Sequence, residues 1–575
     1  MLDDLRQILR QYWGYDSFRP LQEEIIRSVL RGSDTLALLP PAAGKSLCYQ
    51  VPALAQDGLC LVISPLIALM KDQVEQLRRK HITALSVSSG MGRRDLIMTL
   101  ELAARSNCKF LYVSPERLES ELFRNYLPAL DIRLIAVDEA HCISQWGYDF
   151  RPSYLRIPVF REQLPTVPVL ALTASATPQV QEDIIRNLLF QEPAIFRMPL
   201  SRPNLRFQVV RAKDKAASIR ESLSATKDSA LIYCRSRKRA EQMSAILQGA
   251  GLSASFYHAG LDRPRRMEVQ EGWLSNQIQT LACTNAFGLG IDKGNVGLVI
   301  HADVPDCLEN YYQESGRAGR DGRSARALLL FDDWELDQLA QSASGRFPPL
   351  ESVRQVYLAL MNYLQIPAGA GAGRYFDFDL ADFLDKFRID ARLLSNCWKT
   401  LEQEEILSYL DWIHLPSRVM FSTSHEALRE WQKGNEAEAE LADHLLRTYP
   451  GIMDQPVTIA EKKIARALRE SSDSVSQQLR RLQSLGLLHY QQAKDSPQLF
   501  LMQDRVRESD LRINVMNYEK RKVQYQQRAD IMIRYARLEG TCRSRFIAQY
   551  FGQDMDRSCG ICDNCVAEEA VVPDR

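Results

Sequence analysis

Short apolar runs recur along the first half of the chain, each closing in a polar loop before a stretch of helical character begins. The runs at 36–39, 59–63, 110–113, 134–137 and 169–172 are only a few residues long and rich in Leu, Ile and Val, the pattern of strands buried on both faces. A second series at 230–233, 254–257, 280–282, 298–301 and 327–331 repeats the alternation. Strand and helix taking turns predicts an α/β fold, with two parallel sheets covered by helices and ligands gathered at the carboxyl ends of the strands. The expected boundaries are 1–204 for the first lobe and 205–345 for the second, with a cleft between them.

Beyond 345 the pattern changes. Arg346-Phe347-Pro348-Pro349 and the small-residue run Ala368-Gly369-Ala370-Gly371-Ala372-Gly373 are linker-like. Two helix-turn-helix patterns fall in the region 346–510. The first comprises 379–387 and 390–402, followed by a strand at 406–410. The second comprises 459–468, the turn Ser471-Ser472-Asp473 and 475–485, closed by strands at 487–491 and 498–502 around Asp495-Ser496-Pro497. Helix, turn, helix and β-hairpin is the plan of a winged helix. Such a module docks on DNA or on protein, and Arg480, Arg481 and Lys494 favour DNA. The hairpin, with Tyr490, Gln491, Gln498 and Phe500 near its turn, is expected to serve as a wedge between base pairs. A long basic helix at 517–538 then leads into a last module, 511–575.

Composition narrows the partners. Lys+Arg and Asp+Glu are equal at 72 each, so any contact with nucleic acid must use local basic surfaces rather than a global field. A length of 575 residues holds about three or four domains. The chain opens on polar and charged residues and no apolar run approaches a membrane span, which predicts an intracellular, cytoplasmic protein without a membrane partner. Of 12 cysteines, Cys542, Cys559, Cys562 and Cys565 share the spacing C-x16-C-x2-C-x2-C, which matches a closed, structural tetrahedral zinc site. The others, such as Cys60 and Cys283, are scattered in apolar runs and read as buried free thiols.

Two strand ends carry the chemistry of nucleotide hydrolysis. After 36–39 comes Pro40-Pro41-Ala42-Ala43-Gly44-Lys45-Ser46, a tight loop opening a helix, which points backbone N–H groups at phosphate. Gly44 makes the turn, Lys45 reaches the β/γ oxygens and Ser46 faces the metal. After 134–137 comes Asp138-Glu139-Ala140-His141, where Asp138 can hold Mg²⁺ and Glu139 can orient and deprotonate water. In the second lobe Arg317 and Arg320 stand among Gly316, Gly319 and Gly322, where planar, permanently charged guanidinium groups can bridge γ-phosphate oxygens. Just past the acidic motif, Ser144-Gln145-Trp146-Gly147-Tyr148-Asp149-Phe150-Arg151-Pro152 gathers aromatics and arginine suited to stacking on single-stranded DNA, with Trp146, Phe150 and Arg151 as the contacts.

Five segments in order resemble the motifs of RecQ-type DNA helicases. They are Phe18-Arg19-Pro20-Leu21-Gln22-Glu23, Gly44-Lys45-Ser46-Leu47-Cys48-Tyr49-Gln50, Asp138 through Gly147, Thr173-Ala174-Ser175-Ala176-Thr177, and Gln313 through Gly322. The resemblance covers about 10–335 and resumes at the C-terminal cysteines. It implies two RecA-like lobes with ATP in the cleft, adenine held by Gln22 with Tyr15 stacking and Arg19 nearby, Arg320 as the arginine finger, Arg317 as a γ-phosphate contact, Gln313 as a relay and Asp292 at the nucleotide. It further implies 3′→5′ unwinding of forked duplex DNA in recombination and repair, with ATP, Mg²⁺ and Zn²⁺ as cofactors.

The chain departs from the family twice. Pro41, Ala42 and Ala43 stand where the family has Thr-Gly and a further small residue, which predicts a stiffer phosphate loop. The zinc module, which the family joins directly to the second lobe ahead of its winged helix, here comes after the inserted region. Two other readings of the whole stay open on these residues. One is a DNA-stimulated ATPase that remodels protein–DNA complexes without extensive unwinding, and the other is a DNA-binding scaffold with a dead phosphate loop.

Overall fold

The computed structural model describes residues 2–571 apart from 42, 66, 89–90, 92, 119, 145–146, 148–149, 288–292, 411–416, 434–435 and 493–496. The chain forms two compact units, one made of residues 1–347 with 513–575, the other of 348–512.

In the first unit, strands β1 (Thr35–Leu38), β2 (Leu59–Ile63), β3 (Ala84–Val87), β4 (Phe110–Val113), β5 (Ile132–Val137), β6 (Val169–Thr173) and β7 (Ala194–Arg197) make a parallel sheet ordered β3-β4-β2-β5-β6-β1-β7. Alternate side chains of one strand feed two separate cores: Leu59, Leu61 and Ile63 pack on one face, Cys60 and Val62 on the other. The second lobe repeats the plan with β8 (Leu205–Arg211), β9 (Ser229–Tyr233), β10 (Ala254–Tyr257), β11 (Thr280–Cys283), β12 (Val296–His301) and β13 (Ala325–Phe331), ordered β10-β11-β9-β12-β13-β8. The eight scattered cysteines are buried, as expected for free thiols.

The C-terminal module belongs to the second lobe despite its distance in sequence. Helix Val515–Ala536 buries Tyr518, Tyr525, Ala529, Met532 and Tyr535, a stripe at helical spacing. Its lower end, from Ala529, joins Phe207, Leu231, Tyr311 and Phe331 in one cluster with Cys542, Ile547, Phe551, Cys562 and Cys565. Each such fully buried side chain contributes about 1.5–3 kcal/mol. Asp563 also accepts a hydrogen bond from Val209 N at 2.8 Å on the edge strand β8. The insertion therefore displaces this module in sequence but not in space.

The second unit corrects one expectation. Strands 487–491 and 498–502 do not form a hairpin with each other. Strand β14 (Tyr375–Asp377), β15 (Leu407–Leu410) and a later strand, β19 (Gln498–Leu501), make one sheet ordered β14-β19-β15, while β16 (Arg418–Phe421), β17 (Val457–Thr458) and β18 (Leu488–Gln491) make another ordered β17-β16-β18. The first sheet goes with helices Leu350–Tyr363, Leu380–Phe387 and Ala391–Gln403, the last two capped by Asp379 and Asp390. This is a winged helix whose wing, between β15 and β19, is interrupted by a whole second module. That module is itself a winged helix with its third strand, β16, moved to the front: Arg418 pairs with Gln491 and Phe421 with Leu488. Its chain therefore enters and leaves at adjacent, paired residues, which lets it sit inside a hairpin connection.

Of the four side chains assigned to a wedge, Gln491 is exposed and the other three are spent on packing. Tyr490 is buried with Val419, Phe421 and Leu479, Gln498 is fully buried and donates to Asp377 Oδ1 at 2.6 Å, and the Phe500 ring lies 4.7 Å from that of Tyr375. Asp495 and Ser496 lie outside the described residues. The 368–373 run is likewise no free linker: Gly369 N donates to Arg505 O and Arg505 N to Ala370 O. Among the described residues no helix is long and apolar enough to cross a membrane.

Candidate active site

The phosphate loop is a strand-to-helix turn running from β1 to helix Leu47–Ala55, with Ser46 just before the helix. Gly44 takes φ +77°, and a Cβ there would lie 2.6 Å from Gln22 Nε2. That nitrogen donates to Ala43 O at 2.9 Å and Gly44 O at 3.1 Å, while Gln22 Oε1 accepts from Arg19 N at 3.0 Å. Both amide hydrogens of Gln22 are thus committed to the phosphate loop, and an adenine would find only an acceptor lone pair there. Tyr15, 52 % exposed, offers an open ring face. Gly44→Ala combines left-handed strain of about 1–2 kcal/mol with displacement of Gln22. It is expected to raise the KM for ATP about tenfold, checked by ATP titration of turnover.

Strand β5 delivers Asp138 and Glu139 to the same sheet edge, one strand removed from β1. Lys45 Nζ lies 3.4 Å from Glu139 Oε1, and His141 Nδ1 lies 3.4 Å from Glu139 Oε2. His141 is buried and bonds Thr173 Oγ1 at 2.9 Å, so the end of β6 holds the ring in place. Glu139 itself is held at φ 47°, a strained conformation for a side chain of its size. The two neighbouring acids are driven apart. Burial and the Glu139 charge push the Asp138 carboxyl up to about 6, against the pull of Lys45. Burial would also raise Glu139, but Lys45, His141 and Arg317 outweigh it and hold that carboxyl below its usual range. One acid is left short of positive charge while its neighbour stays ionised.

Arg317 acts on Glu139 from the other lobe. Helix Leu308–Ser315, which carries the half-buried Gln313, runs into Gly316, with Arg317 buried and Arg320 half-buried beyond it. A Cβ on Gly316 would meet Pro41 Cγ at 2.6 Å, so the arginine loop touches the phosphate loop where only a hydrogen fits. Pro41 is one of the three loop residues that depart from the resemblance, and this contact is where it goes.

Three residues carry roles that the sequence did not assign, Thr173 among them although its motif was noted. Thr173 orients His141. Arg202, in the connection between the lobes, donates to Gly316 O at 3.0 Å, Ala318 O at 2.9 Å and Gly319 O at 2.7 Å, and Asn204 Nδ2 adds 2.8 Å bonds to Gly319 O and Arg323 O. Their partners lie over a hundred residues ahead, and no spacing announces them.

Of the residues assigned to DNA, Trp146 lies outside the described residues, as does Asp292 of the nucleotide set. Phe150 and Arg151 are half-buried, and Arg151 Nη1 donates to Pro65 O at 3.1 Å at the end of β2. Arg480 donates to Gln492 Oε1, and Arg481 pairs with the buried Glu438 at 2.8 Å.

The sulfurs of Cys542, Cys559, Cys562 and Cys565 lie within 4.8 Å of one another, with 4.0 Å between Cys559 and Cys565 and 3.4 Å between Cys562 and Cys565. Edges of about 3.8 Å follow from Zn–S bonds near 2.3 Å, so the four fit a tetrahedral zinc. Arg543 fixes the surround through Asp563 Oδ1 at 2.5 Å and Tyr535 O at 2.8 Å. Because these cysteines share the core of the second lobe, Cys559→Ser is expected to lose zinc and at least about 3 kcal/mol of stability. Metal analysis and thermal unfolding check this.

Comparison with known proteins agrees with this layout. Residues 19–184 match the DEAD/DEAH box helicase family and 214–322 the helicase conserved C-terminal domain. Residues 419–492 match the RecQ helicase winged-helix domain of Bacteroidota, the inserted module from β16 to β18, and 499–566 match the RecQ zinc-binding family. The chain is 39% identical over 375 residues to the ATP-dependent DNA helicase RecQ of Pasteurella multocida, covering 62% of this chain and 59% of that protein. It is 42% identical over 339 residues to RecQ of Bacillus subtilis, covering 58% and 57%. The probable ATP-dependent DNA helicase RecS of Bacillus subtilis is 40% identical over 348 residues, 59% of this chain and 70% of that protein. The chain thus spans under two thirds of the length of the two RecQ relatives.

Proposed function

The chain belongs to the RecQ family of ATP-dependent DNA helicases, and on that footing we propose that it hydrolyses ATP to move 3′→5′ along single-stranded DNA and separate the duplex ahead of it. The observation that carries this reading is the field at Glu139, built by Lys45 and His141 on one lobe and Arg317 on the other. A hydrolytic base that is complete only when two lobes meet is what couples turnover to lobe motion. Asp138 and Ser46 would hold Mg²⁺, which neutralises charge on the phosphates when bound; the buried, cation-poor carboxyl of Asp138 suits it. Glu139 takes the proton of the attacking water, Lys45 and Arg317 meet the γ-phosphate, and Arg320 meets the charge that develops in transfer.

Strand displacement on forked substrates with each tail polarity, with ATP turnover measured with and without single-stranded DNA, tests the reading. Displacement only from a 3′ tail supports it, and DNA-stimulated turnover without displacement overturns it. That second result would favour a translocase that remodels protein–DNA complexes, which draws on one observation: the strands expected to form a wedge lie in two different sheets.

A further inference from the structure

The segment joining the two lobes, 198–204, is gripped at both ends, at one by the zinc module and at the other by the arginine loop. At one end the Gln553 side chain pairs with it like an added strand: Gln553 Nε2 donates to Met198 O at 3.0 Å and Leu200 N donates to Gln553 Oε1 at 3.0 Å. Gln553 lies just past helix Arg543–Tyr550, between Cys542 and Cys559 of the zinc module. Its neighbour Gly552 takes φ +74°, and a Cβ there would lie 2.5 Å from Pro178 Cγ, so the module abuts the first lobe directly after Thr173–Thr177. At the other end Arg202 spends its guanidinium on the three carbonyls of Gly316, Ala318 and Gly319.

A second set of contacts runs parallel to the first. The Phe551 ring lies 5.4 Å from that of Tyr312, Tyr550 OH donates to Glu309 Oε1 at 2.7 Å, and Tyr312 OH donates to Leu200 O at 3.3 Å. Glu309 and Tyr312 stand on the helix that ends in Gly316. The end of the zinc-module helix therefore touches the first lobe, the hinge and the base of the arginine loop at once. Arg202 is half-buried beside Arg320 and Arg19, and burial together with those like charges pulls its guanidinium below the usual range. Holding a third cation there has a cost that three well-formed carbonyl bonds offset.

We propose that Arg202 is a positioning residue for Arg320, and that Gln553 sets the hinge from which it acts, so that the zinc module fixes how the end of the arginine loop is presented to the nucleotide. This rests on the ATPase reading above. The arrangement makes no contact that ATP binding to the first lobe requires. Its loss should therefore appear in the chemical step, where Arg320 counts, and not in ATP affinity.

The test uses the full zinc-loaded chain, with kcat and KM for ATP at saturating single-stranded DNA, and with zinc content and unfolding temperature as controls. Arg202→Lys, whose single ammonium cannot span three carbonyls, is expected to lower kcat at least about tenfold and Gln553→Ala about fivefold, with KM within about twofold and zinc content unchanged. In an Arg320→Ala background each substitution should cost less than about twofold more, since a residue acting through Arg320 has nothing left to position. Costs that multiply with Arg320→Ala overturn the proposal, as does a kcat within twofold of the parent for both variants. Should Arg202→Lys fold poorly, Gln553→Ala decides alone, by the same kcat–KM split and the same double variant. Lys45→Ala separates the two failures. If it turns over ATP like the parent, the ATPase reading falls and the positioning role with it; if it is inactive while Arg202→Lys and Gln553→Ala are normal, only the positioning role falls.

Discussion

Lys45→Ala is expected to lower ATP turnover by at least about a hundredfold while binding of single-stranded DNA stays within about twofold. Two losses combine. The ammonium proposed to meet the transferring phosphate is gone, and so is the cation 3.4 Å from Glu139, which leaves adjacent buried carboxylates facing each other with less to hold them ionised. Removing a partner from a buried charged cluster is more damaging than the net worth of the pair, because the remaining charge stays buried. The residues assigned to DNA lie on other segments and should be untouched. Turnover at saturating DNA and fluorescence anisotropy of a labelled oligonucleotide measure the two quantities, and near-normal hydrolysis would remove the assignment of the site.

The lobes were readable in the sequence because each strand is a short, continuous apolar run, and burial on both faces leaves little else such a run can be. The phosphate loop and Asp138-Glu139 were readable because their chemistry is local, a few residues at a strand end. Pairing partners are not local. The turn Asp495-Ser496-Pro497 between two alternating runs is what a hairpin shows, yet Tyr490 pairs with Val419 and Phe500 with Tyr375 and Ser408. Nothing in a strand's own alternation names its neighbour; here the hydrophobic faces of two separate modules decided it. The return of the zinc module to the second lobe was hidden for the same reason, although the buried stripe Tyr518, Tyr525, Met532 on a basic helix already signalled a face that needed a partner. Arg202 carried no signal at all, since an arginine that bonds three backbone carbonyls across the fold looks in sequence like any arginine.

Arg320→Ala is expected to lower kcat by about a hundred- to a thousandfold and to leave the KM for ATP within about threefold. An arginine that meets charge only as it shifts toward the leaving oxygen stabilises the transition state and adds little to the ground state, so its removal acts on the chemical step. The neighbouring Arg317 should behave differently. It is 8 % exposed and its charge already reaches Glu139 without nucleotide, whereas Arg320 stands half-buried beside Arg202. Arg317→Ala should therefore weaken ATP binding and turnover together, because it removes both the proposed γ-phosphate partner and part of the field that keeps Glu139 ionised. Steady-state kinetics of the two variants, with binding of a non-hydrolysable ATP analogue measured directly, separate the roles. A loss of affinity in Arg320→Ala as large as its loss of kcat would make Arg320 a binding residue and move the finger to Arg317.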